Sequence, residues 1–223
     1  MKLLLTSNGF VNHSISKALL DLVGKPFSEL KLAFIPTAAN VVKEDKGWLI
    51  NDLINCRNLG FAFIDIVDIS AVPRDIWEPR LNNADILLFG GGNTHHLMYW
   101  IKKSGLKEIL PEMLTNKVYV GISAGSIITG PTLSVSTSIR LYSLEIGEHK
   151  DEKALGFVNF HIRPHLNAPK FPKIRKELLA EMASELKEPM YAIDDQTAIK
   201  IVGTNVEIVS EGEYLIFNPS NRF

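Results

Sequence analysis

The stretch Val118-Tyr119-Val120-Gly121-Ile122-Ser123-Ala124-Gly125 carries an apolar strand into a serine flanked by small residues. Its last five residues have the pattern G-x-S-x-G of a nucleophile elbow, in which a strand turns sharply into a helix and lifts the serine above the sheet. The N–H of Ala124 is then placed to meet the oxyanion that forms when Ser123 attacks a carbonyl. The pattern also fits a simple strand–helix turn in which the serine caps the helix, so this stretch alone leaves both interpretations open.

A second glycine-bearing turn follows another apolar strand, in Ile86-Leu87-Leu88-Phe89-Gly90-Gly91-Gly92-Asn93-Thr94. Asn93 or Thr94 is expected to cap the next helix. The turn lacks the lysine of a phosphate-binding P-loop and the G-x-G-x-x-G spacing of a dinucleotide site. Ligands of doubly wound sheets bind at the carboxyl ends of the strands. We therefore expect Gly91 and Gly92 to form an oxyanion hole with Ala124, and Asn93 and Thr94 to contact the substrate.

The pattern around these turns predicts an α/β fold. Apolar runs alternate with segments of helical spacing, which is typical of a mostly parallel, doubly wound sheet flanked by helices. The predicted strands of this part are Lys2–Thr6, Lys31–Pro36, Phe61–Val67, Ala84–Phe89 and Val118–Ile122. Further strands are predicted at Thr132–Ser136 and Gly156–Ile162, followed by a helix over Lys173–Leu186 and an antiparallel C-terminal extension of the sheet. No linker interrupts the chain, so residues 1–223 are predicted to form a single domain.

Composition excludes several classes of protein. The chain has 223 residues, of which 46% are hydrophobic and 22% charged, so it can bury a large core without metals or disulfides. A net charge of −1 argues against non-specific nucleic-acid binding. The single cysteine forms no internal disulfide, and no apolar run is long enough for a signal peptide or a membrane helix. We expect a cytoplasmic protein, a monomer or homodimer, that binds neither nucleic acid nor membranes.

A nucleophilic serine needs a base, and the chain has six histidines. His165 is the best candidate because it follows the predicted strand Gly156–Ile162 and the stiffening Pro164. His161 lies within that strand, where it is expected to pack. His95 and His96 flank the glycine turn and are expected, at most, to line the pocket.

These segments together resemble the peptidase E (aspartyl dipeptidase) family, to which cyanophycinase is related. The resemblance covers nearly the whole chain and rests on Ile35-Pro36-Thr37-Ala38-Ala39, Gly90–Thr94, Gly121–Gly125, Pro131-Thr132 and Pro164-His165. It implies a fold like the class I glutamine amidotransferases with serine in place of the nucleophilic cysteine. Cys56, the only cysteine, lies far from the elbow in the sequence.

The resemblance implies Ser123 as nucleophile and His165 as general base, with no cofactor and no metal, acting on a short peptide. The family's aspartate, a short way beyond the Pro-Thr pair, has no counterpart in Leu133–Arg140. We predict Glu145, the first acid after that gap, as the third member of the triad. Glu148, Asp151, a weakly orienting Ser138, or no residue at all are the alternatives. The pair Asp194-Asp195 is predicted to form a turn rather than a metal site.

Family members that cleave after an N-terminal aspartate hold its carboxylate with a basic residue beyond the Pro-His pair. Lys170 is the first choice for this role, and Arg163 is an alternative because a guanidinium binds a carboxylate in a bidentate manner. The sequence thus predicts a serine dipeptidase with a preference for N-terminal Asp. The alternatives are a catalytically weak or inactive small-molecule or peptide-binding protein, a cyanophycinase-like enzyme, or an esterase.

Overall fold

A seven-stranded sheet lies at the centre of the computed structural model, which describes residues 1–143 and 153–219. In chain order the strands are β1 (Lys2–Thr6), β2 (Lys31–Ile35), β3 (Phe63–Ile66), β4 (Ile86–Phe89), β5 (Val118–Ile122), β6 (His161–Arg163), β7 (Met190–Ile193), β8 (Thr197–Val202), β9 (Asn205–Ser210) and β10 (Tyr214–Phe217). The main sheet has the order β3-β2-β4-β5-β1-β8-β9, in which the first five strands are parallel and β8 pairs antiparallel with both of its neighbours, β1 and β9. A second sheet has the order β10-β7-β6.

Helices cover both faces of the main sheet. They are α1 (His13–Val23), α2 (Gly47–Asn58), α3 (Arg74–Asn83), α4 (Thr94–Lys103), α5 (Leu106–Met113), α6 (Ala124–Ile127), α7 (Val135–Tyr142) and α8 (Lys176–Ser184). Along β1, Leu4 packs in one hydrophobic cluster with α1, whereas Leu3 and Leu5 pack in the other with α4 and α5. Successive side chains of a strand point to opposite faces, so these central strands are apolar throughout because both faces are buried.

The α/β architecture predicted from the sequence is confirmed, with three local differences. The predicted strand Gly156–Ile162 is extended only at its end, because β6 begins at His161. Thr132–Ser136 does not form a strand: Thr132 makes an isolated bridge, and the Ser134 hydroxyl accepts a hydrogen bond from Thr137 N at 3.2 Å, so that α7 begins there. The C-terminal strands divide between two sheets, since β8 and β9 extend the main sheet while β7 and β10 pair in the smaller one. Helical capping by a serine side chain thus prevails over the apolar alternation that predicted a strand.

The topology brings three loops to one edge of the main sheet. β4, β5 and β1 are adjacent and parallel, with Thr6 opposite Ile122, so the segments that follow these strands emerge side by side. The short sheet of β6, β7 and β10 supplies the segments that follow β6 and β7. None of the helices formed by the described residues is long and apolar enough to span a lipid bilayer.

Candidate active site

The serine elbow between β5 and α6 has the strained geometry that its sequence predicts. Ser123 has φ 48° and ψ −103°, in the region that favours glycine, and its N–H donates to the Thr6 carbonyl at 3.1 Å. A Cβ atom at Gly125 would lie 2.0 Å from the Phe89 carbonyl oxygen, so only glycine allows the helix to start this close to β4. Such strain in a non-glycine residue is typical of a functional position.

The glycine turn after β4 lies against the elbow. Gly92 has φ 128°, and a Cβ atom there would lie 2.3 Å from the Ala38 carbonyl oxygen. Gly90 N donates to Ile35 O at 3.0 Å and Asn93 N to Ala38 O at 2.8 Å, whereas the N–H groups of Gly91 and Gly92 make no such bond to the described backbone. Gly91 and Gly92 line the same cavity as Ser123, and Ala124 N is at the first position of α6, where no partner exists within the helix. These N–H groups can receive an oxyanion.

His165 follows β6 and lies directly on the serine. Its Nε2 is 2.9 Å from Ser123 Oγ, and its backbone N–H donates to Ser7 Oγ at 2.8 Å. The residue has φ 66°, again in the left-handed region. The ring of Phe171 stacks on the imidazole with a centroid separation of 4.3 Å and an interplanar angle of 14°. The backbone bond and the stacked ring both fix the orientation of the imidazole.

The carboxylate on the other ring nitrogen is Asp195, in the turn between β7 and β8. Asp195 Oδ1 lies 2.7 Å from His165 Nδ1 and accepts a second hydrogen bond from Ser7 Oγ at 2.7 Å. Burial tends to raise the pKa of this carboxyl, but the hydrogen bonds from His165 and Ser7 together with the nearby His165 charge lower it below its ordinary value. Asp195 is therefore ionised at neutral pH, and Ser123, His165 and Asp195 form a continuous hydrogen-bonded relay.

The acid of this relay, Asp195, was not among the third members of the triad predicted from the sequence. Glu145, like the alternatives Glu148 and Asp151, lies outside the described residues, and the Nδ1 position of His165 is taken by Asp195. Ser138 does not orient His165 either, because its hydroxyl is 2.9 Å from His95 Nε2.

The predicted turn at Asp194-Asp195 is present, and its two aspartates make different contacts. Asp194 Oδ1 accepts hydrogen bonds from Gln196 N and Thr197 Oγ1, which hold the turn, whereas Asp195 reaches the imidazole. The sequence did not reveal that Asp195 bonds to His165 or that Ser7 donates a hydrogen bond to Asp195. The only local indication was an acidic residue after a predicted strand, and an acid in an ordinary turn produces the same pattern.

A cavity of about 390 Å³ opens above the serine. The loop over residues 168–173 forms one wall, and Arg175 holds this loop by donating hydrogen bonds to the carbonyls of Ala168, Phe171 and Ile174. Apolar side chains contribute much of the remaining surface, among them Trp48, Ile122, Ile127, Leu141 and Tyr142. The cavity thus combines an apolar lining with a few polar groups, as small-molecule sites do.

The predicted substrate contacts divide into two groups. Thr94 and Lys170 line the cavity, and Lys170 Nζ pairs with Glu44 Oε2 at 3.1 Å near the exposed rim. Asn93 does not line it, because its Oδ1 accepts from His96 N at 3.0 Å and caps α4. Arg163 does not line it either: its guanidinium is buried on β6 and NH1 donates to the Ile162 carbonyl at 2.9 Å. These two predictions are corrected.

Among residues 1–143 and 153–219, no group of three or more His, Cys, Asp or Glu side chains is placed to hold a metal ion. A different ionisable group is buried at the cavity wall, Asp52 on α2, which is 5% exposed. Burial raises the pKa of its carboxyl to about 7. Burial, and secondly the nearby Asp52, raise the pKa of the Cys56 thiol one helical turn further on to about 12.

Replacing Asp52 by asparagine is expected to change the pH dependence of stability. In the folded chain the pKa of Asp52 is about 7, against an ordinary value of 3.8. The folded state therefore binds more protons between these pH values, so the contribution of Asp52 is fully present below pH 3.8 and is lost as the pH rises through 7. The free energy of unfolding of D52N relative to wild type should rise by on the order of 3 kcal/mol between pH 4 and 8.

Denaturant titrations across this pH range would measure the effect. The exposed Asp21, which pairs with Lys17 on α1, provides the control, and D21N should differ from wild type by less than about 0.5 kcal/mol at every pH. A difference between D52N and wild type that is independent of pH would contradict this interpretation of Asp52.

Comparison with known proteins places the chain in a family. The model of peptidase family S51 matches residues 3–209. An uncharacterized peptidase of Listeria monocytogenes is 30% identical over 176 residues, 78% of this chain and 83% of that protein. A protein of Shewanella denitrificans named peptidase E is 27% identical over 99% of this chain and 92% of its own length.

Solved structures agree with this similarity. A crystal structure of a candidate peptidase E protein from Listeria monocytogenes superposes with a TM-score of 0.78 at 25% identity, covering 95% of this chain and 98% of that one. A peptidase from an acI-B1 Actinobacterium shares the fold with a TM-score of 0.71 at 20% identity, over 97% of this chain and 90% of its own. With the family model matching most of its length, the chain belongs to peptidase family S51.

Proposed function

We propose that this protein is a serine peptidase that hydrolyses short peptides through an acyl-enzyme on Ser123. The observation that carries the proposal is the relay in which His165 Nε2 lies 2.9 Å from Ser123 Oγ and His165 Nδ1 lies 2.7 Å from Asp195 Oδ1. A nucleophile, a base within hydrogen-bond reach and a group that orients the base are the parts that acyl transfer requires.

In the first half of the reaction, His165 Nε2 accepts the Ser123 proton while Oγ bonds to the carbonyl carbon of the scissile peptide. The negative charge on the former carbonyl oxygen is received by the N–H groups of Ala124 and of Gly91 or Gly92. Protonated His165 then gives its proton to the leaving amine as the C–N bond breaks. Asp195 remains ionised and stabilises the imidazolium that forms between these steps.

In the second half, His165 accepts a proton from water, whose oxygen attacks the acyl carbon of the ester on Ser123. The oxyanion is held in the same place, and the proton returns to Ser123 Oγ as the C–O bond to the enzyme breaks. The peptide bond is thus replaced by one amine and one carboxylic acid, with water as the only co-reactant. The complete relay favours this activity over a binding protein that has lost catalysis.

The cavity supports a short substrate. Its volume of about 390 Å³ falls within the roughly 300–1,000 Å³ range of small-molecule sites. The wall over residues 168–173 and the aromatic rings of Trp48 and Tyr142 bound it, so a long polypeptide has less room than a dipeptide. We therefore propose dipeptidase activity, with Lys170 as the residue that favours an N-terminal aspartate.

A panel of X-Leu dipeptides tests both parts of the proposal. Hydrolysis of dipeptides is expected, with Asp-Leu preferred over Ala-Leu, and K170Q should raise the KM for Asp-Leu by about 10-fold because a charge-assisted hydrogen bond contributes roughly 1.5–3 kcal/mol and Lys170 is exposed at the rim. The KM for Ala-Leu should stay the same. K173Q is the matched control, since Lys173 also lines the cavity but contacts Ser143 Oγ at 3.4 Å.

Equal losses on Asp-Leu and Ala-Leu in K170Q would remove Lys170 from substrate selection while leaving the peptidase proposal intact. Absence of hydrolysis across the whole panel would count against dipeptidase activity itself.

A further inference from the structure

The proposed mechanism leaves one acid of the cavity without a role. The Asp52 side chain lies on α2 at the cavity wall and is 5% exposed. Within the described part of the chain its carboxylate has no hydrogen-bond donor and no cation paired with it. A buried carboxylate without a partner is costly, because neither water nor a protein donor replaces its lost hydration. Such a group at a ligand cavity indicates a missing ligand partner.

The other charged groups of the cavity lining are already engaged. Asp195 is bonded to His165, and at the rim Glu44 pairs with Lys170. Lys173 contacts the Ser143 hydroxyl, also on the exposed side. Asp52 is therefore the acid of the described lining residues that is both inside the cavity and unpaired.

Asp52 and the nucleophile Ser123 line the same cavity. The carboxylate lies beside the backbone of Gly9, where a Cβ atom would be 3.3 Å from Asp52 Oδ1. In a dipeptide with a free amino end, the α-ammonium is the cation nearest to the scissile carbonyl. Because Asp52 and Ser123 line one cavity, the carboxylate is available to that group when the peptide is bound at Ser123.

We propose that Asp52 is a specificity-determining residue whose carboxylate binds a cationic nitrogen of the substrate, in the first place the α-ammonium of its N-terminal residue. This inference rests on the proposed peptidase function, and it specifies that the cavity recognises the amino end of the peptide. The ion pair between Asp52 and the α-ammonium makes the enzyme select peptides with a free amino terminus. In a substrate with an N-terminal aspartate, the ammonium group then pairs with Asp52, and the side-chain carboxylate lies towards Lys170.

The test compares Ala-Leu with N-acetyl-Ala-Leu on wild type and D52N. Wild type should prefer the free peptide by about 100-fold in kcat/KM, and D52N should raise the KM for Ala-Leu by about 30-fold with a smaller change in kcat. D52N should leave N-acetyl-Ala-Leu within about 3-fold of wild type. The variant D21N, in the exposed pair with Lys17, should match wild type on both peptides.

A third substrate, N-acetyl-Arg-Leu, separates the two sources of positive charge. If its hydrolysis depends on Asp52 as strongly as that of Ala-Leu, the shared recognition of a cationic nitrogen stands and a side-chain guanidinium supplies it. If the acetylated and free forms of Ala-Leu are hydrolysed equally by wild type, the inference is overturned, and this result does not require D52N to fold. The same holds if E44Q, rather than D52N, removes the preference for the free peptide.

Failure of the proposed function would be distinguishable. If wild type hydrolyses none of these peptides, calorimetric titration of Ala-Leu and N-acetyl-Ala-Leu into S123A and into the S123A/D52N double variant still measures the inference. Tighter binding of the free peptide to S123A, lost in the double variant, would support the role of Asp52 in a binding protein. Equal or undetectable binding of both peptides would overturn it.

Discussion

Replacing Ser123 by alanine is expected to lower kcat for dipeptide hydrolysis by about 10⁵- to 10⁶-fold, because the atom that forms the acyl-enzyme is removed. The fold should persist, since the Ser123 hydroxyl contacts His165 and caps no helix. The free energy of unfolding of S123A should therefore stay close to that of wild type. Steady-state assays combined with thermal unfolding measure both quantities.

Two controls belong with this variant. S184A removes a hydroxyl that donates to the Glu181 carbonyl on the exposed face of α8, and it should retain full activity. Binding of a dipeptide to S123A should be preserved, because the hydroxyl supplies transition-state chemistry rather than affinity. If S123A keeps more than about one hundredth of wild-type turnover, the acyl-enzyme mechanism is wrong.

Replacing Asp195 by asparagine is expected to lower kcat by about 10⁴-fold with little change in KM. The carboxylate accepts from His165 Nδ1 and Ser7 Oγ, and it stabilises the imidazolium that forms during the reaction. An asparagine amide can present an N–H to Nδ1, which favours the wrong tautomer and leaves Nε2 unable to accept the Ser123 proton. The variant should therefore fold and bind substrate but turn it over slowly.

E145Q provides the comparison, because Glu145 was the acid predicted from the sequence. We expect it to retain activity within about 3-fold of wild type, since His165 Nδ1 is already bonded to Asp195. A large loss in E145Q together with near-normal turnover in D195N would reverse the assignment of the acid.

The parts of the site that were predictable are local in the sequence. The strand, small residues and serine of Gly121–Gly125 specify the elbow because part of the steric demand falls between nearby residues: a Cβ atom on Gly121 would lie 2.6 Å from Ser126 N. The three glycines after β4 also mark a turn in the sequence, although the backbone that excludes a Cβ atom at Gly92 is that of Ala38, in a distant segment. His165 was predictable from its position at the end of β6, because strand ends of one region of the fold converge on the site.

The parts that were missed depend on contacts between distant segments. Asp195 lies 30 residues after His165, and Ser7 lies 158 residues before it. No local pattern reports that the turn after β7 and the loop after β1 meet at one imidazole. Glu145 was predicted because it is the first acid after Leu133–Arg140, and it precedes His165 in the chain. The acid bonded to His165, Asp195, follows it in the chain.

Side-chain direction explains why two predicted substrate contacts, Arg163 and Asn93, do not line the cavity. Arg163 is next to the Pro-His pair in sequence, but alternation along β6 directs it into the interior, where it contacts the Ile162 carbonyl. Asn93 has its carbonyl oxygen committed to capping α4, as asparagine at a helix start commonly does. Asp52 was unremarkable in the sequence because nothing local shows that this position of α2 faces a cavity.

The most direct measurement for the central claim is the reaction of the purified protein with a small fluorophosphonate, followed by peptide mass spectrometry to locate the adduct. The relay of Asp195, His165 and Ser123 predicts a single adduct on Ser123, absent in S123A and formed much more slowly in D195N. No adduct on a folded protein, or an adduct on another residue, would contradict the claim that this serine is an activated nucleophile.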